Sequence, residues 1–238
     1  MFHVKHRCPV HKNRTANAMP DRENTILISD VSRETLAVAE ALFEQNHDSF
    51  SRLVDCWNRW NKTVNLFSKK TKRSDLEKHI VHSLLLNGIT KRRDCNLILD
   101  AGTGGGLPGL PLAIIRRDKN FLLVDKVQKK CLVIRDIVRA LDLPNVRALH
   151  SDLADADVRS PFRIVSKHAF PVKTILKAAA GKNWTEIAML KGDNVLSETD
   201  RVLMESYVIS FHRFNNFGDP FFDNRGVLLV HRKTAGRE

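Results

Sequence analysis

The sequence predicts a doubly wound α/β domain that follows a smaller helical segment. From residue 97 onward, short runs of valine, isoleucine and leucine alternate with longer helical patterns, which is typical of a parallel sheet covered on both faces. Residues 31–93 instead show the three- and four-residue apolar spacing of amphipathic helices. The 238 residues, of which 42% are hydrophobic, are enough to bury a sizeable core. We therefore divide the chain into a polar arm (1–30), a helical segment (31–93) and an α/β domain (94–238).

The polar arm and the cysteines bear on the cellular compartment. The first 24 residues mix histidine, lysine, arginine and asparagine without an apolar stretch, so we expect a flexible arm and not a secretory signal. No apolar run approaches the ~18 residues of a membrane span. The cysteines lack CxxC spacing, which argues against a zinc site or a disulfide framework; they are Cys8, Cys56, Cys95 and Cys131. These features predict a cytoplasmic protein.

Three helices are expected in the helical segment. Ser32 can cap the first, with Glu34 in the opening turn, where the helix dipole favours negative charge. The second carries an apolar stripe at spacings of three, four and seven residues, formed by Phe50, Leu53, Val54 and Trp57. The third runs from Asp75 to Leu86. We expect Trp57 and Trp60 to lie in the core and not against nucleic acid.

Positive charge is concentrated in the helical segment. Lysine and arginine number 39 against 27 aspartate and glutamate residues, which gives a net charge of +12. Between Arg52 and Arg93 there are eleven basic and three acidic residues, so this stretch carries +8 of that total. Such a block attracts a polyanion, most commonly nucleic acid, although a solvated helical face is the alternative interpretation. The candidate RNA contacts here are Lys69, Lys70, Lys72 and Arg73.

The α/β domain is predicted to contain five parallel strands and a closing hairpin. The parallel strands are expected at NLILD, NFLLVD, VRALHSD, FRIVS and EIAML. Helical patterns separate them, for example from Lys129 to Leu141. The end of the chain differs, because Ser206–Phe214 and Gly226–Arg232 look like strands joined by the turn-rich sequence NNFGDPFFDNR. We expect these two strands to form an antiparallel pair that closes one edge of the sheet.

A bare stretch of backbone follows the first parallel strand, in LILDAGTGGGLPGLPL. Asp100 ends the strand, and the turn after it contains Gly102, Gly104, Gly105 and Gly106. Glycines permit positive φ and let a ligand lie directly against the backbone. Pro108 or Pro111 can then begin the next helix, where a missing N–H costs nothing. Since ligands of such sheets bind beyond the carboxyl ends of the strands, this turn is the predicted ligand site; a tight turn without a ligand is the alternative.

Two ligand classes fit this turn, a dinucleotide and S-adenosylmethionine. Gly104, Gly106 and Gly109 spell the dinucleotide pattern GxGxxG. Asp125 follows about twenty residues later, where a carboxylate binds ribose hydroxyls in either case. Two features favour S-adenosylmethionine: Asp100 suits the amino group of a methionine and is unfavourable beside a pyrophosphate, and the chain offers no second catalytic domain for a dehydrogenase. An NAD(P)-dependent oxidoreductase is the alternative.

Several motifs occur together in the order of a known family. DAGTGGGLPGLPLAI is preceded by WNRWNKTVNL and KHIVHSL and followed by VDKVQKK. From about Val31 to Lys191 the chain thereby resembles the RsmG (GidB) methyltransferases of bacterial small-subunit ribosomal RNA. MFHVKH and VSRET resemble the amino ends of alphaproteobacterial members. The resemblance implies a Rossmann-like class I methyltransferase fold with a helical cap, and methyl transfer from S-adenosylmethionine to N7 of guanine 527, in the 530 loop of 16S rRNA.

The resemblance also assigns residues to the cofactor and to RNA. It places Gly102 and Leu107 against the cofactor, in the glycine turn, and Asp125 on the ribose. It places the Leu153–Ala154 backbone by the adenine. From its position after the third strand, Asp152 is either a partner for the adenine amino group or a helix cap. The remaining candidates in the glycine turn are Asp100, Thr103, Gly104 and Gly106. Further RNA candidates, which match a basic pair and the KG motif of the family, are Lys129, Lys130 and Lys191.

The chain departs from the family pattern at three places. An arginine is expected after the fourth strand, where this chain reads SKHAF and places His168, a further cofactor-site candidate, with Lys167 beside it. The family's HIxDS is HIVHS here, so His82 replaces an aspartate. The arginine expected before Leu153 is missing. We expect no metal, because His79 and His82 are three residues apart and have no third ligand nearby in the sequence.

The implied chemistry needs little from the protein beyond positioning. Guanine N7 has a free lone pair and no proton, so attack on the sulfonium methyl group needs no general base and depends on alignment. The purine becomes cationic, which favours a neutral His168 whose charge can switch near its usual pKa of about 6.5. Lys167 is the second positioning candidate, through a phosphate contact.

The expected partner is 16S rRNA, in the small ribosomal subunit or its precursor, bound by a monomer without a membrane. A non-catalytic RNA-binding or assembly protein on the same fold is the second alternative, since His82 and His168 depart from the family pattern.

Overall fold

The computed structural model of the chain describes residues 26–90, 95–198, 201–215 and 217–233, so the MFHVKH motif and most of the polar arm lie outside the described residues. In these parts, the strands β1 to β8 span Leu27–Asp30, Leu97–Ala101, Asn120–Asp125, Val146–His150, Phe162–Lys167, Trp184–Gly192, Tyr207–Arg213 and Arg225–Arg232. The helices α1 to α7 span Arg33–Gln45, His47–Trp60, Arg73–Ile89, Gly109–Ile115, Gln128–Ala140, Val172–Ala178 and Arg201–Ser206. Short 3₁₀ segments span Asp193–Glu198 and Pro220–Phe222.

The strands form one sheet in the order β1-β7-β8-β6-β5-β2-β3-β4. From β6 to β4 in this order, neighbouring strands are parallel, whereas β8 is antiparallel to both β6 and β7. Since β2 lies between β3 and β5, the chain winds outward to β4 and then crosses back to β5, which creates a switch point at the carboxyl ends of β2 and β5. The predicted doubly wound fold, with an antiparallel pair at its carboxyl-terminal end, is confirmed.

One edge of the sheet differs from the prediction. Residues 27–30, which the sequence places in the flexible arm, form β1 and pair in parallel with β7. All four residues of β1 are exposed, so no apolar alternation reveals the strand. Backbone hydrogen bonds to β7 hold this strand in place. They extend to the next residue, because the Val31 N–H donates to the Arg213 carbonyl over 2.8 Å. The edge is therefore β1, and the pair of β7 and β8 lies one strand further in.

Apolar helical faces cover both sides of the sheet, as a parallel sheet requires. On one side, fully buried residues of the helical segment, such as Phe50 and Ile80, share a core with Leu110 of α4 and Ile134 of α5. On the other side, the buried residues of α6 pack against the opposite face of the strands. Burying a large apolar side chain stabilises a fold by about 1.5–3 kcal/mol. The core is thus continuous across the predicted boundary at residue 94.

The helical segment follows its sequence pattern closely. The Ser32 hydroxyl accepts the Thr35 N–H over 3.3 Å at the start of α1, and the predicted stripe of α2 is fully buried. Trp57 is buried completely, whereas Trp60 is part-buried and donates its indole N–H to Asp136 on α5 over 2.8 Å. The described helices include none that is long and apolar enough to cross a membrane.

Candidate functional site

A cavity of about 420 Å³ opens at the switch point, at the carboxyl ends of β2, β3, β4 and β5. Ligands of open α/β sheets bind at this position, and the volume is within the range of small-molecule sites. The lining residues are Gly102, Val124, Asp125, Lys126, Val127, Lys130, Ser151, Asp152, Leu153, Lys167, Ala169 and Phe170. Sequence-predicted candidates therefore meet here from four different strand ends.

Gly102, at the start of the glycine turn, forms part of the floor of the cavity, whereas Gly104 lies outside the cavity lining. Gly102 has φ +66°, and a Cβ atom there would lie 2.7 Å from the Phe170 ring and 2.8 Å from the Ala169 Cβ. Its N–H donates to the Val124 carbonyl over 2.9 Å, which fixes the turn against β3. Gly104 has φ +58°, and a Cβ there would come no closer than 4.0 Å to a neighbour. Both positions therefore require glycine for their positive φ, and Gly102 also because Phe170 and Ala169 pack against it.

The second half of the turn faces the protein. The Gly105 carbonyl accepts the Trp57 indole N–H over 2.6 Å, so α2 holds the turn directly. A Cβ on Gly106 would overlap the Leu110 side chain. Gly106 and Leu107 are buried and do not line the cavity, and the same is true of Thr103. Their contacts with a cofactor stay a prediction, and the structure places these three residues behind the cavity lining.

Asp100 lies beneath the turn and not in the cavity lining. Its carboxylate is fully buried, and Oδ2 accepts hydrogen bonds from the Thr103 hydroxyl (2.6 Å) and the Gly109 N–H (2.9 Å). Burial raises the pKa of Asp100 to about 7. Asp100 thereby ties the two ends of the glycine turn together, and its contact with the amino group of a methionine stays a prediction.

Asp125 and Asp152 form what we call the acidic rim of the cavity. Asp125 ends β3, and its carboxylate accepts the Gly104 N–H and the Val127 N–H, each over 2.9 Å. Each oxygen keeps a second lone pair for a ligand hydroxyl. Asp152 is exposed and accepts the Ala154 N–H over 3.2 Å, so the predicted cap-like role and a ligand contact are both compatible with its position. Leu153 lines the cavity, whereas Ala154 does not.

Lys167, the last residue of β5, and His168, which follows it, form what we call the basic rim, of which only Lys167 lines the cavity. Lys167 lines the cavity and donates to His79 Nδ1 on α3 over 2.7 Å. Burial, with the nearby Arg225 guanidinium, lowers the pKa of Lys167 to about 7. Burial and the Lys167 charge lower the pKa of His79 to about 3. Near neutral pH, His79 is therefore neutral, and any positive charge of the Lys167–His79 pair lies on Lys167.

His168 is exposed, has φ +51°, and does not belong to the cavity lining. Partial desolvation and the Lys167 charge lower its pKa to about 4, so the charge switch predicted near pH 6.5 falls at a lower pH. Its ring centroid lies 6.3 Å from that of His82, which brings two of the three departures from the family pattern together. His82 is fully buried against Phe214, and burial lowers its pKa well below the usual value.

The described residues contain no group of three histidine, cysteine, aspartate or glutamate side chains placed to hold a metal ion.

The predicted RNA contacts fall into three positions. Lys130 lines the cavity and Lys129 is exposed beside it, at the start of α5. Lys191 is buried on β6, with 8% of its surface exposed, which makes it a poor phosphate contact. The basic loop, defined as residues 61–72, exposes its lysines at 69, 70 and 72. Arg73 is occupied by ion pairs with Asp55 (2.7 Å) and Glu77 (3.2 Å).

The basic loop lies directly against the glycine turn. Asn61 Oδ1 accepts the backbone N–H groups of Leu66 (2.9 Å) and Phe67 (3.0 Å), which folds the loop back on α2. The Phe67 ring then lies 2.9 Å from the position that a Cβ on Gly105 would take. The loop that exposes these lysines is thereby anchored to the glycine turn through Phe67.

Sequence reasoning missed several residues of the site. Phe170 and Ala169 cover Gly102, and His79 holds Lys167 from an element 88 residues away. Phe170 had a usable signal, because an aromatic residue directly after the carboxyl end of a parallel strand stands where ligands bind. No sequence pattern marked His79, because its partner Lys167 lies 88 residues away in the chain.

The chain is similar to proteins of one family. The family model GidB, described as rRNA small subunit methyltransferase G, matches residues 46–215. The Ribosomal RNA small subunit methyltransferase G of Pelodictyon phaeoclathratiforme is 30% identical over 194 residues, which cover 78% of this chain and 85% of that protein. The protein of the same name from Chlorobium luteolum is 32% identical over 183 residues (73% and 76%). That from Bacteroides fragilis is 31% identical over 198 residues (79% and 94%). The alphaproteobacterial character of the amino end stays a prediction.

Proposed function

This chain belongs to the GidB family of rRNA small subunit methyltransferases, and we propose that it transfers the methyl group of S-adenosylmethionine to N7 of guanine 527 in 16S rRNA. The observation that carries the proposal is the cavity at the switch point, where the bare Gly102 backbone and the Asp125 carboxylate face the same space. An rRNA substrate also implies that the protein works in the cytoplasm, on the small ribosomal subunit or its precursor.

The cavity lining fits the parts of S-adenosylmethionine. Gly102 lines the cavity, and its missing side chain lets Phe170 and Ala169 pack against the turn, so the methionine part would lie along this backbone and the Phe170 ring. Asp125 offers free lone pairs to the ribose hydroxyls. Val127 and Leu153 offer apolar surface to the adenine, with Asp152 beside them for the amino group. When bound, the cofactor supplies an electrophilic methyl group on a sulfonium.

The dinucleotide alternative has less support in the geometry. A pyrophosphate would need the free amides at the start of α4. The Gly109 N–H, the first of that helix, already donates to Asp100 Oδ2 over 2.9 Å. A buried carboxylate at this point also opposes a second anion.

The protein's part in the reaction is positioning and control of charge. N7 attacks with its own lone pair, so no side chain has to remove a proton. The purine gains positive charge as the new bond forms, and nearby cations would oppose this. Lys167 and His168 both have lowered pKa values, about 7 and about 4, so the basic rim carries little charge for its composition. The site is therefore suited to a base that becomes cationic.

RNA would approach over the basic loop and the start of α5. Lys69, Lys70 and Lys72 stand on the loop that packs against the glycine turn, and Lys129 and Lys130 stand at the start of α5, where Lys130 lines the cavity. Phosphate contacts of this kind position an RNA without reading its sequence. The base itself must be reached in an unpaired or extruded state.

The experiment is methyl transfer from labelled S-adenosylmethionine to 30S subunits and to free 16S rRNA, both from a strain that lacks the modification. We expect stoichiometric labelling that maps by mass spectrometry to N7 of guanine 527. Labelling of another base or atom would contradict the N7 assignment. Cofactor binding without labelling of either substrate would instead support the non-catalytic alternative, and selective binding of NAD(P)H would support the oxidoreductase.

A further inference from the structure

Phe170 is the only aromatic residue among the described residues that line the cavity. It stands three residues after the end of β5, where this strand and β2 diverge. Ring atoms Cε2 and Cζ lie 2.7 Å and 3.0 Å from the position of a Cβ on Gly102, so the ring rests on the bare turn. The side chain is part-buried, with the remainder of its surface in the cavity.

The ring is held in place by its neighbours in the chain. Pro171 follows it and begins α6, whose first residue, Val172, is fully buried. Ile175, one turn further on, is also fully buried in the same core, and Phe170 packs against that core. A side chain fixed in this way presents a preformed surface to a ligand, with little ordering cost on binding.

The proposed reaction moves positive charge onto a planar base. The N7 lone pair forms the new N–CH₃ bond while the C–S bond breaks, and the pair of electrons from that bond stays on sulfur as a neutral thioether. The formal positive charge thereby passes from sulfur to the purine, and no proton moves. An aromatic face carries negative electrostatic potential and attracts a cation stacked over it.

We propose that Phe170 is the platform on which the target guanine stacks, and that its ring face stabilises the purine as it becomes cationic. This inference rests on the proposed function and adds the surface that binds the base. The nearby basic side chain does not compete for this role. Lys167 is part-buried, and its amino group donates a hydrogen bond to His79. Base stacking on an aromatic ring corresponds to effects of about 5- to 150-fold. A cation–π contact corresponds to effects of about 2- to 30-fold.

The test compares ring variants in single-turnover methylation of 30S subunits at saturating cofactor. Phe170→Leu keeps an apolar side chain and removes the ring, whereas Phe170→Trp enlarges the aromatic face. Incorporation of mono-, di- and trifluorinated phenylalanine at position 170 keeps the shape and weakens the negative potential of the face stepwise. Phe217→Leu, at a part-buried residue of the core outside the cavity, is the matched control. Cofactor affinity is measured by calorimetry for each variant.

We expect Phe170→Leu to slow the chemical step by about 10- to 100-fold, Phe170→Trp to retain most of the rate, and the fluorinated series to lose rate with each fluorine. Cofactor affinity and the rate of Phe217→Leu should stay near wild type. Equal rates across the fluorinated series would overturn the charge role. A wild-type rate in Phe170→Leu, or a loss confined to cofactor affinity, would overturn the platform. Absence of methylation by the wild-type protein would instead reject the proposed function.

Discussion

Asp125 and Asp152 line the cavity at the ends of β3 and β4, whereas Lys167 lines it at the end of β5 and His168 follows Lys167 outside the lining. The acidic rim is built from local hydrogen bonds: both oxygens of Asp125 accept backbone N–H groups at 2.9 Å. The basic rim is built from groups that crowd one another, and their pKa values are lowered by burial and by mutual repulsion. The acidic rim therefore presents hydrogen-bond acceptors at fixed positions, whereas the basic rim carries less positive charge than its residue types suggest.

This difference assigns separate tasks to the two rims. A carboxylate with pre-formed hydrogen bonds presents its remaining lone pairs at fixed positions, which suits ribose hydroxyls that do not change during the reaction. A basic group with a pKa near neutrality adds little charge beside a base that turns cationic. We infer that changes to the acidic rim act on cofactor binding, and that changes to the basic rim act on the rate of transfer.

Gly102 supports both rims, so its substitution should have the largest effect. In Gly102→Val, the side chain would overlap Phe170 and Ala169 and force a β-branched residue to φ +66°. Strain and overpacking of about 1–3 kcal/mol each would displace Phe170 and the turn that line the cavity, so we predict a loss of cofactor affinity on the order of 100-fold, measured by calorimetry. Gly181→Val is the control, because Gly181 has φ +72° but nothing within 4 Å of its Cβ position. Unchanged affinity in a folded Gly102→Val protein would remove the assignment of the floor.

The next largest effect should come from the acidic rim. Asp125→Asn removes the charge and one acceptor, while it keeps the size of the side chain. A lost hydrogen bond to a charged group predicts cofactor binding about 10- to 100-fold weaker, with little change in the rate at saturating cofactor. Asp136→Asn is the matched control, since Asp136 pairs with Trp60 and Arg59 away from the cavity. Equal affinity of both variants would mean that Asp125 only supports the turn.

The acidic rim was predictable from the sequence and the basic rim was not, for a physical reason. The position of Asp125 follows from a hydrophobic run that ends in a carboxylate, because the carboxyl ends of parallel strands lie on one edge. Lys167 acquires its character from His79 and Arg225, which come from α3 and β8. Contacts between such distant segments leave no periodic pattern in the sequence. The family resemblance marked the position of His168 but not its orientation.

Three local features were also beyond sequence reasoning. The glycine turn was identified correctly, but which of its residues face a ligand depends on how it rolls between Asp125 and Trp57. Asp100 was expected in the cavity because it precedes the glycines, and it points beneath them. β1 escaped detection since its four residues are exposed and its order depends on β7. The strands and helices with buried faces, in contrast, follow directly from apolar spacing.

The basic loop is the proposed RNA contact outside the two rims. We expect its charge reversal to have a smaller effect on binding than the changes at Gly102 and Asp125. Reversal of Lys69, Lys70 and Lys72 to glutamate should weaken RNA binding on the order of 10-fold near 0.15 M salt. The dependence of log affinity on log salt should flatten by roughly 0.7 to 0.9 for each phosphate that the loop no longer neutralises. Cofactor affinity should not change.

The control for this loop carries the same charge change at the opposite end of the strands. Lys119, Arg147 and Arg159 lie near the amino ends of β3, β4 and β5, and their reversal to glutamate should leave the salt dependence closer to wild type. Arg73 is left intact in both variants, because it already pairs with Asp55 and Glu77. If both triple variants bind RNA equally well, the loop is a solvated surface and nucleic acid approaches elsewhere.

The smallest effect should separate the two residues of the basic rim by their pH dependence. The pKa of His168 is lowered to about 4, so His168 is neutral throughout the range from pH 5.5 to 8. The pKa of Lys167 is lowered to about 7, so Lys167 loses its proton within that range. Below pH 7 the ammonium opposes the charge that develops on the purine, and above pH 7 this opposition disappears. The single-turnover rate should therefore rise with pH, on the order of 5-fold, as one screened charge nearby predicts.

Variants can show which residue causes this rise in rate and whether its protonation slows the reaction. His168→Ala should keep the wild-type profile, whereas Lys167→Met, which has no charge at any pH, should abolish the step and run near the high-pH rate. The groups that face Lys167 are His79 on α3, Arg225 on β8 and Asp100 on β2, and Asp100, with a pKa of about 7, also titrates in this range. Asp100 acts in the opposite direction, because its deprotonation favours the Lys167 ammonium and delays the step to higher pH. A step that survives in Lys167→Met would belong to Asp100, and a loss of rate at every pH in that variant would show that the ammonium binds the substrate.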